Sequence, residues 1–300
     1  MRPVTLKQIE AFVSVADLGS FRRAAQRLHT TQPNISARIA GLETALGVLL
    51  MERDAGSVHL TPRGQTLLIH ARTILRSVED LVGAVGDAGL VEGVLRLGVT
   101  ELVVQTWLAT FLSALKDRLP NVLVELTVDL SSSLSRALLD RTLDLTFQNG
   151  PFSRAIAGTV PLGDYPFVWV AGAALKLDAR RTMEKTDILA HPILTHARGT
   201  QPYDQLAAHL ADAGSIRPRL VPSSNLAACM QMAMDGYGLA CLPRAQVRTP
   251  LAQGRLLQLD YRWTPDPLSF AARFDPTRCP DFVAQAARLA CAIAADDQNS

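Results

Sequence analysis

The chain has 300 residues, enough for two or three domains that each bury a core. Apolar residues make up 48% of it and the mean hydropathy is +0.14, which excludes a disordered, highly charged chain. The net charge of +2 arises wholly in residues 1–91, which hold 10 Lys/Arg against 8 Asp/Glu, since residues 92–300 hold 20 of each. That excess is too small to indicate a nucleic-acid partner by itself.

The sequence shows no pattern for secretion, membrane insertion or metal binding. Residues 1–5 lead directly into a charged amphipathic stretch, and charges interrupt the later apolar stretches. We therefore expect a soluble cytoplasmic protein without a cofactor or metal. The cysteines include no CxxC pair, and buried inert thiols are a better expectation than redox sensing for them. They are Cys229, Cys241, Cys279 and Cys291.

Three short helices are predicted near the start of the chain. Thr5 is placed to cap the first, which ends near Gly19, and Ser20 to cap the second over residues 21–28. The third should run over residues 31–46, opened by the hydroxyl of its first residue and ended by a glycine. Its predicted buried stripe is Ile35, Ile39, Leu42 and Leu46.

The outward side of the third helix carries side chains that suit DNA. Amides pair with adenine, arginine with guanine or phosphate, and hydroxyls with either. Residues 51–53 and 58–60 flank a turn-forming stretch and predict a small hairpin wing. This order of elements is typical of a winged helix-turn-helix, with an ordinary three-helix bundle as the alternative.

These residues resemble the LysR-type transcriptional regulators, closely over the first 65 residues and by general plan beyond them. The resemblance is carried by Phe12, Gly19-Ser20-Phe21, Ala24-Ala25, Leu28, Thr31-Gln32-Pro33, Ile35-Ser36, Ile39, Leu42-Glu43, Leu46-Gly47, Leu50, Glu52-Arg53 and Leu60-Thr61-Pro62-Arg63-Gly64. It implies a DNA-binding domain over residues 1–62. The residues expected to contact or support DNA binding are Ser20, Thr31, Gln32, Pro33, Asn34, Ser36, Arg38 and Arg53.

The chain departs from the family pattern in two places. The wing tip reads Asp54-Ala55-Gly56-Ser57, where arginines are common, and Ala37 stands where arginine often follows the serine of the third helix. DNA recognition should therefore depend mainly on the third helix, with more weight on Arg38.

A long helix is predicted from Thr61, with Pro62 at its first position, to about Gly86. Its apolar residues, spaced alternately by four and three, form a heptad seam: Leu67, Ala71, Ile74, Val78, Leu81 and Val85. Packing on its own chain is the alternative to pairing with a second copy. The resemblance favours pairing over residues 63–91, which would set two DNA-binding domains over an inverted-repeat promoter site. Gly83, Gly86 and Gly89 indicate a hinge afterwards.

Strands and helices alternate over residues 92–300, which predicts a parallel α/β sheet covered by helices. Strands are expected at or near 94–99, 122–128, 143–148, 167–171, 192–195, 219–221 and 239–242, and helices at 104–119 and 133–141. The resemblance implies a two-lobed effector domain like the periplasmic binding proteins. Its first lobe would span about 92–162 and 268–296, and its second about 163–267. Residues 236–243 resemble the family's Gly-x-Gly-x-x-x-Leu-Pro stretch.

Polar residues that follow the strands are the candidate effector ligands, because ligands of such sheets bind beyond the carboxyl ends of strands, near helix N-termini. With one aromatic residue they are Thr100, Glu101, Ser131, Ser132, Ser133, Gln148, Asn149, Phe152, Thr195, His196, Arg198, Thr200, Ser223, Ser224 and Asn225. Each Ser, Thr or Asn could instead be an ordinary helix cap, and the aromatic ring an ordinary core residue. Helix N-termini and Arg198 favour a small organic acid, while Glu101 limits the charge that the site accepts.

An enzyme and a secreted solute receptor are the competing functions. No GxSxG elbow, HExxH helix, phosphate loop or dinucleotide fingerprint stands in its required context. A receptor would need secretion and would not follow a DNA-binding domain. The sequence thus predicts a transcription regulator, not an enzyme, that acts as a homodimer or homotetramer. Its expected partners are double-stranded DNA and a small-molecule effector, with RNA polymerase as a further candidate and no membrane.

Overall fold

The computed structural model describes residues 4–54, 57–85, 92–152, 154–178, 181–211 and 217–299. The chain divides into an N-terminal unit, residues 1–92 with 137–143, and a C-terminal unit, residues 93–136 with 144–300. The helices are α1 (Leu6–Leu18), α2 (Phe21–Arg27), α3 (Gln32–Leu46), α4 (Pro62–Val85), α5 (Glu101–Gln105), α6 (Leu108–Arg118), α7 (Ser131–Leu139), α8 (Lys185–Leu189), α9 (Gln201–Ala211), α10 (Leu226–Met234), α11 (Arg244–Ala252) and α12 (Asp281–Asn299). The strands are β1 (Met51–Asp54), β2 (Ser57–Leu60), β3 (Gly93–Val99), β4 (Val122–Val128), β5 (Leu145–Asn149), β6 (Gly158–Tyr165), β7 (Phe167–Gly172), β8 (Ile193–His196), β9 (Leu220–Ser223), β10 (Leu239–Pro243), β11 (Leu256–Leu259) and β12 (Leu268–Phe274).

Local signals set the starts of α1 and α2 and the ends of α1 and α3, as predicted. Thr5 and Gln8 form a reciprocal capping box at the start of α1, and the Ser20 hydroxyl accepts the Arg23 amide of α2. Gly19 and Gly47 end α1 and α3 in the left-handed region, with φ of 61° and 68°. β1 and β2 pair antiparallel, which confirms the hairpin.

The inner faces of these helices share one apolar core. Phe12, Ile35, Leu42 and Leu50 are each 2% exposed or less. Full burial of such a side chain stabilises the fold by about 1.5–3 kcal/mol. The prediction that Leu46 completes the buried stripe is wrong: it is 39% exposed, because it lies in the last turn of α3, where the helix leaves the core.

The C-terminal unit contains two five-stranded sheets, in the orders β4-β3-β5-β12-β6 and β11-β7-β10-β8-β9. Strands β3, β4 and β5 are parallel, as are β8, β9 and β10. The expectation of parallel sheets is wrong for the other strands: β12 runs antiparallel to β5 and β6, and β7 to β10 and β11. The chain passes between the sheets twice, from β6 into β7 and from β11 into β12, and the strand entered after each crossing, β7 or β12, is antiparallel to its neighbours.

The predicted single helix over residues 104–119 is wrong, because the chain forms α5 and α6 there instead. Thr106 leaves the helical region with φ −110° and ψ −90°. The next residue, Trp107, is 2% exposed, and its indole Nε1 donates to the Tyr165 hydroxyl at 2.8 Å. Burying this side chain with a partner for its N–H outweighs one uninterrupted helix. The break leaves α5 as a separate short helix directly after β3.

A close backbone approach explains part of the stretch over residues 236–243. A Cβ atom at Gly238 would collide with the carbonyl oxygen of Pro192, just before β8, so only glycine lets β10 begin there. The strand that follows is fully buried. In the described part of the chain, no helix is long and apolar enough to cross a membrane.

Candidate functional site

A tight turn joins α2 to α3. His29 has a φ of 49°, in the left-handed region, and the Thr30 amide donates to the Ala25 carbonyl at 2.9 Å. Ala24 and Ala25 are both buried and small, which lets neighbouring helices pack close to α2. These contacts fix where α3 begins.

The polar residues predicted to contact DNA lie around the solvent side of this turn and of α3, while Ile35 and Ile39 hold the opposite side in the core. Thr31, Gln32, Pro33 and Asn34 are exposed, and Ser20, Ser36 and Arg38 are half-buried. The side chain of Arg53 lies outside the described residues, as do residues 55 and 56 and the side chains of Asp54 and Ser57 at the wing tip. The first turn of α3 is therefore the best-exposed part of the predicted set.

Asn34 and Thr30 shape the start of α3. Asn34 Nδ2 donates to Thr30 Oγ1 at 2.8 Å, which orients the amide group. Within the described residues the Thr31 hydroxyl accepts no capping hydrogen bond, so its predicted capping role is wrong. Thr31 still occupies the cap position, and its carbonyl accepts the amides of Asn34 and Ile35. Its hydroxyl stands on the exposed side.

Glu43 is a site residue that the sequence argument missed. Its Oε1 accepts the Leu50 amide at 2.8 Å and the Met51 amide at 3.3 Å, which joins α3 to the start of the hairpin. At the other end, Thr61 Oγ1 donates to the Leu49 carbonyl at 2.8 Å. The Leu42-Glu43 pair was part of the recognised pattern, but nothing in a pattern says which amides the carboxylate meets.

The predicted pairing seam of α4 divides into two parts. Leu67 and Ala71 pack in the core of their own unit, and Ala71 is 1% exposed. Further along, Ile74 and Leu81 are 42% and 66% exposed, and Val78 is half-buried. Of the later predicted positions, Gly83 lies within α4, while the Val85 side chain and the predicted hinge glycines Gly86 and Gly89 lie outside the described residues.

In the first sheet, the predicted ligands after β4 and β5 bond to each other. Ser131 Oγ donates to Asn149 Oδ1 at 2.8 Å and accepts the Asn149 amide at 3.1 Å. Gln148 is fully buried and exchanges hydrogen bonds of 3.1 and 3.3 Å with Ser135. Ser132 is exposed and Ser133 half-buried. Three of these predicted residues, Ser131, Gln148 and Asn149, thus attach α7 to the end of β5.

In the second sheet, the loop after β8 carries its own internal bonds. Arg198 is exposed, and its guanidinium donates to the Tyr203 hydroxyl at 2.6 Å and lies 5.3 Å from the centre of that ring. Thr200 Oγ1 donates to the Ala197 carbonyl at 2.7 Å. Both side chains shape the loop that leads into α9.

The residues after β9 build the start of α10. Asn225 Oδ1 accepts the Ala228 amide at 2.7 Å as the helix cap, and the Ser223 hydroxyl accepts the Asn225 amide at 3.0 Å. Ser224 is exposed. For Asn225 the cap alternative therefore holds in this structure.

Glu101 brings the two sheets together at this point. Glu101 lies in α5, directly after β3. Its Oε2 nevertheless accepts the Leu226 amide at 2.6 Å, and its Oε1 accepts the Ala227 amide at 2.9 Å, both in α10. Gln105 Nε2 donates to the same Oε1 at 2.9 Å. A carboxylate on free amides at a helix N-terminus is electrostatically favourable.

Two predicted ligands have buried polar atoms without partners among the described residues: the Thr100 hydroxyl and both ring nitrogens of His196. His196 is 8% exposed and lies 5.4 Å, edge to face, from the ring of Phe167. Burial lowers the pKa of His196 to about 4, so the ring is neutral at pH 7. Its neighbour Thr195 is buried as well. Unpaired buried polar groups are costly, and they mark places where a ligand can supply the missing bonds.

A buried arginine is the second residue that sequence reasoning missed. Arg273 of β12 is 2% exposed and donates to the Arg154 carbonyl, and its guanidinium carbon lies 4.2 Å from the centre of the Phe152 ring. Phe152, predicted as a lining residue, therefore packs on this cation. Burial lowers the pKa of Arg273 from its usual value. An arginine inside a strand pattern gave no sign of this burial.

The thiols of Cys229 and Cys241 are buried, and burial is the main cause that raises the pKa of each above its usual value. Both are therefore protonated at pH 7. Cys279 and Cys291 are partly buried. Over the described ranges, no three His, Cys, Asp or Glu side chains form a group that could hold a metal ion.

Comparison with protein families gives two matches that together span most of the chain. Residues 6–65 match the bacterial regulatory helix-turn-helix protein of the lysR family, and residues 88–287 match the LysR substrate binding domain. A curated relative from Streptomyces viridosporus, named probable hydrogen peroxide-inducible genes activator, is 30% identical over 260 residues, 85% of this chain and 83% of its own. The regulator CfxR from Cupriavidus necator is 27% identical over 268 residues, 88% of this chain and 84% of its own.

Solved structures show the same fold. A full-length OxyR variant from Pseudomonas aeruginosa aligns with a TM-score of 0.71 and 23% identity, covering 97% of this chain and 98% of that one. CbnR in complex with its target DNA aligns with a TM-score of 0.66 and 24% identity, covering 95% of this chain and 99% of that one.

Proposed function

The chain belongs to the LysR family of bacterial transcriptional regulators, and from that premise we propose which of its surfaces meet DNA, a second copy and the effector. It is a DNA-binding regulator with a C-terminal effector-binding domain, and its family consists of regulators rather than enzymes. Members of the family bind DNA and small-molecule effectors and form oligomers.

We propose that α3 reads base edges in the major groove through Gln32, Asn34, Ser36 and Arg38. The observation that carries this proposal is the division of α3 into a buried side with Ile35 and a side on which Gln32 and Asn34 are exposed. An amide such as that of Gln32 can pair with adenine through two hydrogen bonds. We further propose that the protein works in the cytoplasm, where it binds promoter DNA and contacts RNA polymerase.

Two copies should pair through the outer part of α4, where Ile74 and Leu81 leave an apolar stripe exposed. A two-fold dimer would read an inverted repeat. The edge strand β4 also exposes apolar side chains, with Leu123 at 70% and Val128 at 51%, which supports a further contact between copies and hence a homotetramer. Sedimentation of the full chain and of Leu81→Ser tests the helix pairing: the variant should form a smaller assembly than the wild type, and an unchanged mass would refute the pairing.

The proposed effector is a small organic acid that binds between the end of β3 and the start of α10, where the Glu101 carboxylate lies. The support comes from the Thr100 hydroxyl and the His196 ring, which have no hydrogen-bond partner within the described ranges, together with the helix N-terminus. Binding there would change how the two sheets meet and, through the oligomer, the angle between the paired DNA-binding domains. A thermal-shift screen of carboxylic acids and neutral sugars on the full chain checks it, and stronger stabilisation by a sugar would contradict it.

The names of several relatives refer to hydrogen peroxide, but we do not extend that signal to this chain. Thiols react with peroxide as thiolates, and burial keeps Cys229 and Cys241 protonated. The two buried thiols therefore do not support a peroxide signal, and we propose a bound ligand as the signal.

Footprinting on the DNA that flanks the gene tests the function as a whole. We expect full-length protein to protect an inverted repeat there and a stabilising acid to change the protected pattern. Absence of protection with and without such acids would overturn the proposal.

A further inference from the structure

The start of α10 is fully occupied by the chain itself. Glu101 takes the amides of Leu226 and Ala227, at 2.6 and 2.9 Å, and Asn225 takes the amide of Ala228, at 2.7 Å. Asn225 is the helix's own cap, close by in sequence. Glu101 belongs to α5, which follows β3 of the other sheet, and it lies 125 residues earlier in the chain than the first amide it accepts.

The geometry of Glu101 is that of a bound carboxylate ligand. Each of its two oxygens accepts one of the first two amides of α10, and the N-terminal end of a helix favours a negative charge. Gln105, one turn later in α5, holds the carboxylate in this position through the hydrogen bond to Oε1. The oxygens of Glu101 thus already accept three N–H donors, which leaves them little capacity to bind a cationic ligand.

Two residues that the chain or the sheet register places next to Glu101 and the α10 cap carry buried polar atoms without partners among the described residues. They are Thr100, one residue before Glu101, with its hydroxyl, and His196, with both ring nitrogens. His196 is paired in register with Ser223, whose hydroxyl accepts the amide of the helix cap Asn225. A ligand with its carboxylate at the start of α10 could bring its uncharged part to these groups.

We infer that Glu101 is an internal competitor for the carboxylate of the effector. It fills the carboxylate subsite at the start of α10, and an acid effector binds by displacing it. The inference rests on the proposed acid effector and adds the residue that determines which acids bind. Displacement breaks the two hydrogen bonds between α5 and α10, so the same event that admits the ligand loosens the contact between the sheets. Acids that bind α10 too weakly to outcompete a tethered carboxylate are excluded.

The test measures binding of acetate to the full chain by calorimetry at constant ionic strength, with acetamide as the neutral analogue. Glu101→Ala should bind acetate at least about tenfold more tightly than the wild type, because charge-assisted hydrogen bonds to two amides become available. Glu101→Gln, which keeps the size of the side chain and loses its charge, should show a smaller gain. Glu125→Gln, which removes a carboxylate that is 67% exposed on β4, should show none.

The amide resonances of Leu226 and Ala227 give a readout that does not depend on an added ligand. They should shift in Glu101→Gln, since a charged acceptor is replaced by a neutral one, which checks that Glu101 occupies them. If Glu101→Ala does not fold, the acetate affinity of Glu101→Gln decides whether Glu101 competes with the acid. The inference is overturned if Glu101→Ala gains no acetate affinity, if acetamide gains as much, or if these two amides do not respond to Glu101→Gln. DNA binding of the wild type and of the same variants is measured separately. If the wild type does not bind DNA, that result counts against the proposed function and not against the role of Glu101.

Discussion

Similar sequence patterns predict the polar residues of α3 and those at the strand ends of the C-terminal unit, but the structure buries several of the second group and none of the first. Gln32 and Asn34 stand exposed above a buried apolar side, whereas Thr100, Gln148 and His196 are each 9% exposed or less. Replacing an exposed polar side chain changes the stability of the fold little. Buried polar groups affect both stability and ligand binding, so the effect of mutating one depends on whether its hydrogen-bond partners are left unpaired.

The largest expected effect separates the two sides of α3. Ile35→Ala should lower the free energy of unfolding by about 2–5 kcal/mol, because it leaves a cavity at a fully buried position. Gln32→Ala, three residues earlier, should change it by less than about 0.5 kcal/mol. Urea titrations of both variants measure the difference. Equal losses would show that Gln32 belongs to the core and would remove the basis for placing it at DNA.

The next effect concerns the buried histidine of the C-terminal unit. Its pKa is about 4 in the folded chain against an ordinary value of 6.5, so below pH 6.5 the unfolded chain binds more protons and stability falls. The loss should develop between pH 6.5 and 4 and reach about 3 kcal/mol. His196→Gln should lack this component.

Urea unfolding from pH 7 to 4 checks that pH dependence, with His70→Gln on the exposed side of α4 as the control. If the wild type and His196→Gln lose stability in parallel as the pH falls, the His196 ring is solvated and does not form part of a buried site.

A smaller effect should come from the link between α3 and the hairpin. Glu43→Ala removes a half-buried carboxylate that accepts two backbone amides, and we expect a loss of about 1–3 kcal/mol in the free energy of unfolding. Glu10→Ala, an exposed carboxylate of α1, serves as the matched control. Hydrogen exchange at Leu50 and Met51 should quicken in Glu43→Ala alone. If exchange at these two amides does not change, packing and not Glu43 holds the hairpin in position.

The smallest expected effect is on the thiols. Because burial keeps Cys229 and Cys241 protonated, micromolar hydrogen peroxide should leave both unmodified in the native chain and DNA affinity unchanged. Mass spectrometry of peptides from treated protein measures this. Rapid oxidation of either thiol with a change in DNA binding would make peroxide the signal and displace the organic acid.

Features specified by neighbouring residues could be predicted from the sequence. Caps at Thr5 and Ser20 and the glycine ends of α1 and α3 depend on contacts within a few residues, so their pattern is visible in the chain. The bounds of β3 and β4 could be predicted for the same reason, since each strand is a short, largely apolar run. The break at Thr106 was not predictable, since it depends on the meeting of Trp107 with Tyr165, 58 residues away.

The candidate site shows the same limit. Thr100, Glu101 and His196 are predictable as site residues because they lie at or directly after the ends of strands, which requires no knowledge of tertiary contacts. Which amides Glu101 accepts depends on how two sheets meet, and no local signal encodes it. Arg273 was missed because charged residues are rarely buried, and a single sequence does not reveal the Phe152 ring and backbone carbonyl that surround it.

The most direct test of the account is the DNA affinity of the full chain and of Gln32→Ala, measured by fluorescence anisotropy on the DNA fragment protected in footprinting. Losing an amide that pairs with a base should weaken binding by about tenfold to a hundredfold, which corresponds to about 1–3 kcal/mol, while the urea midpoint stays unchanged. An affinity equal to that of the wild type would contradict the assignment of α3 as the DNA-reading helix.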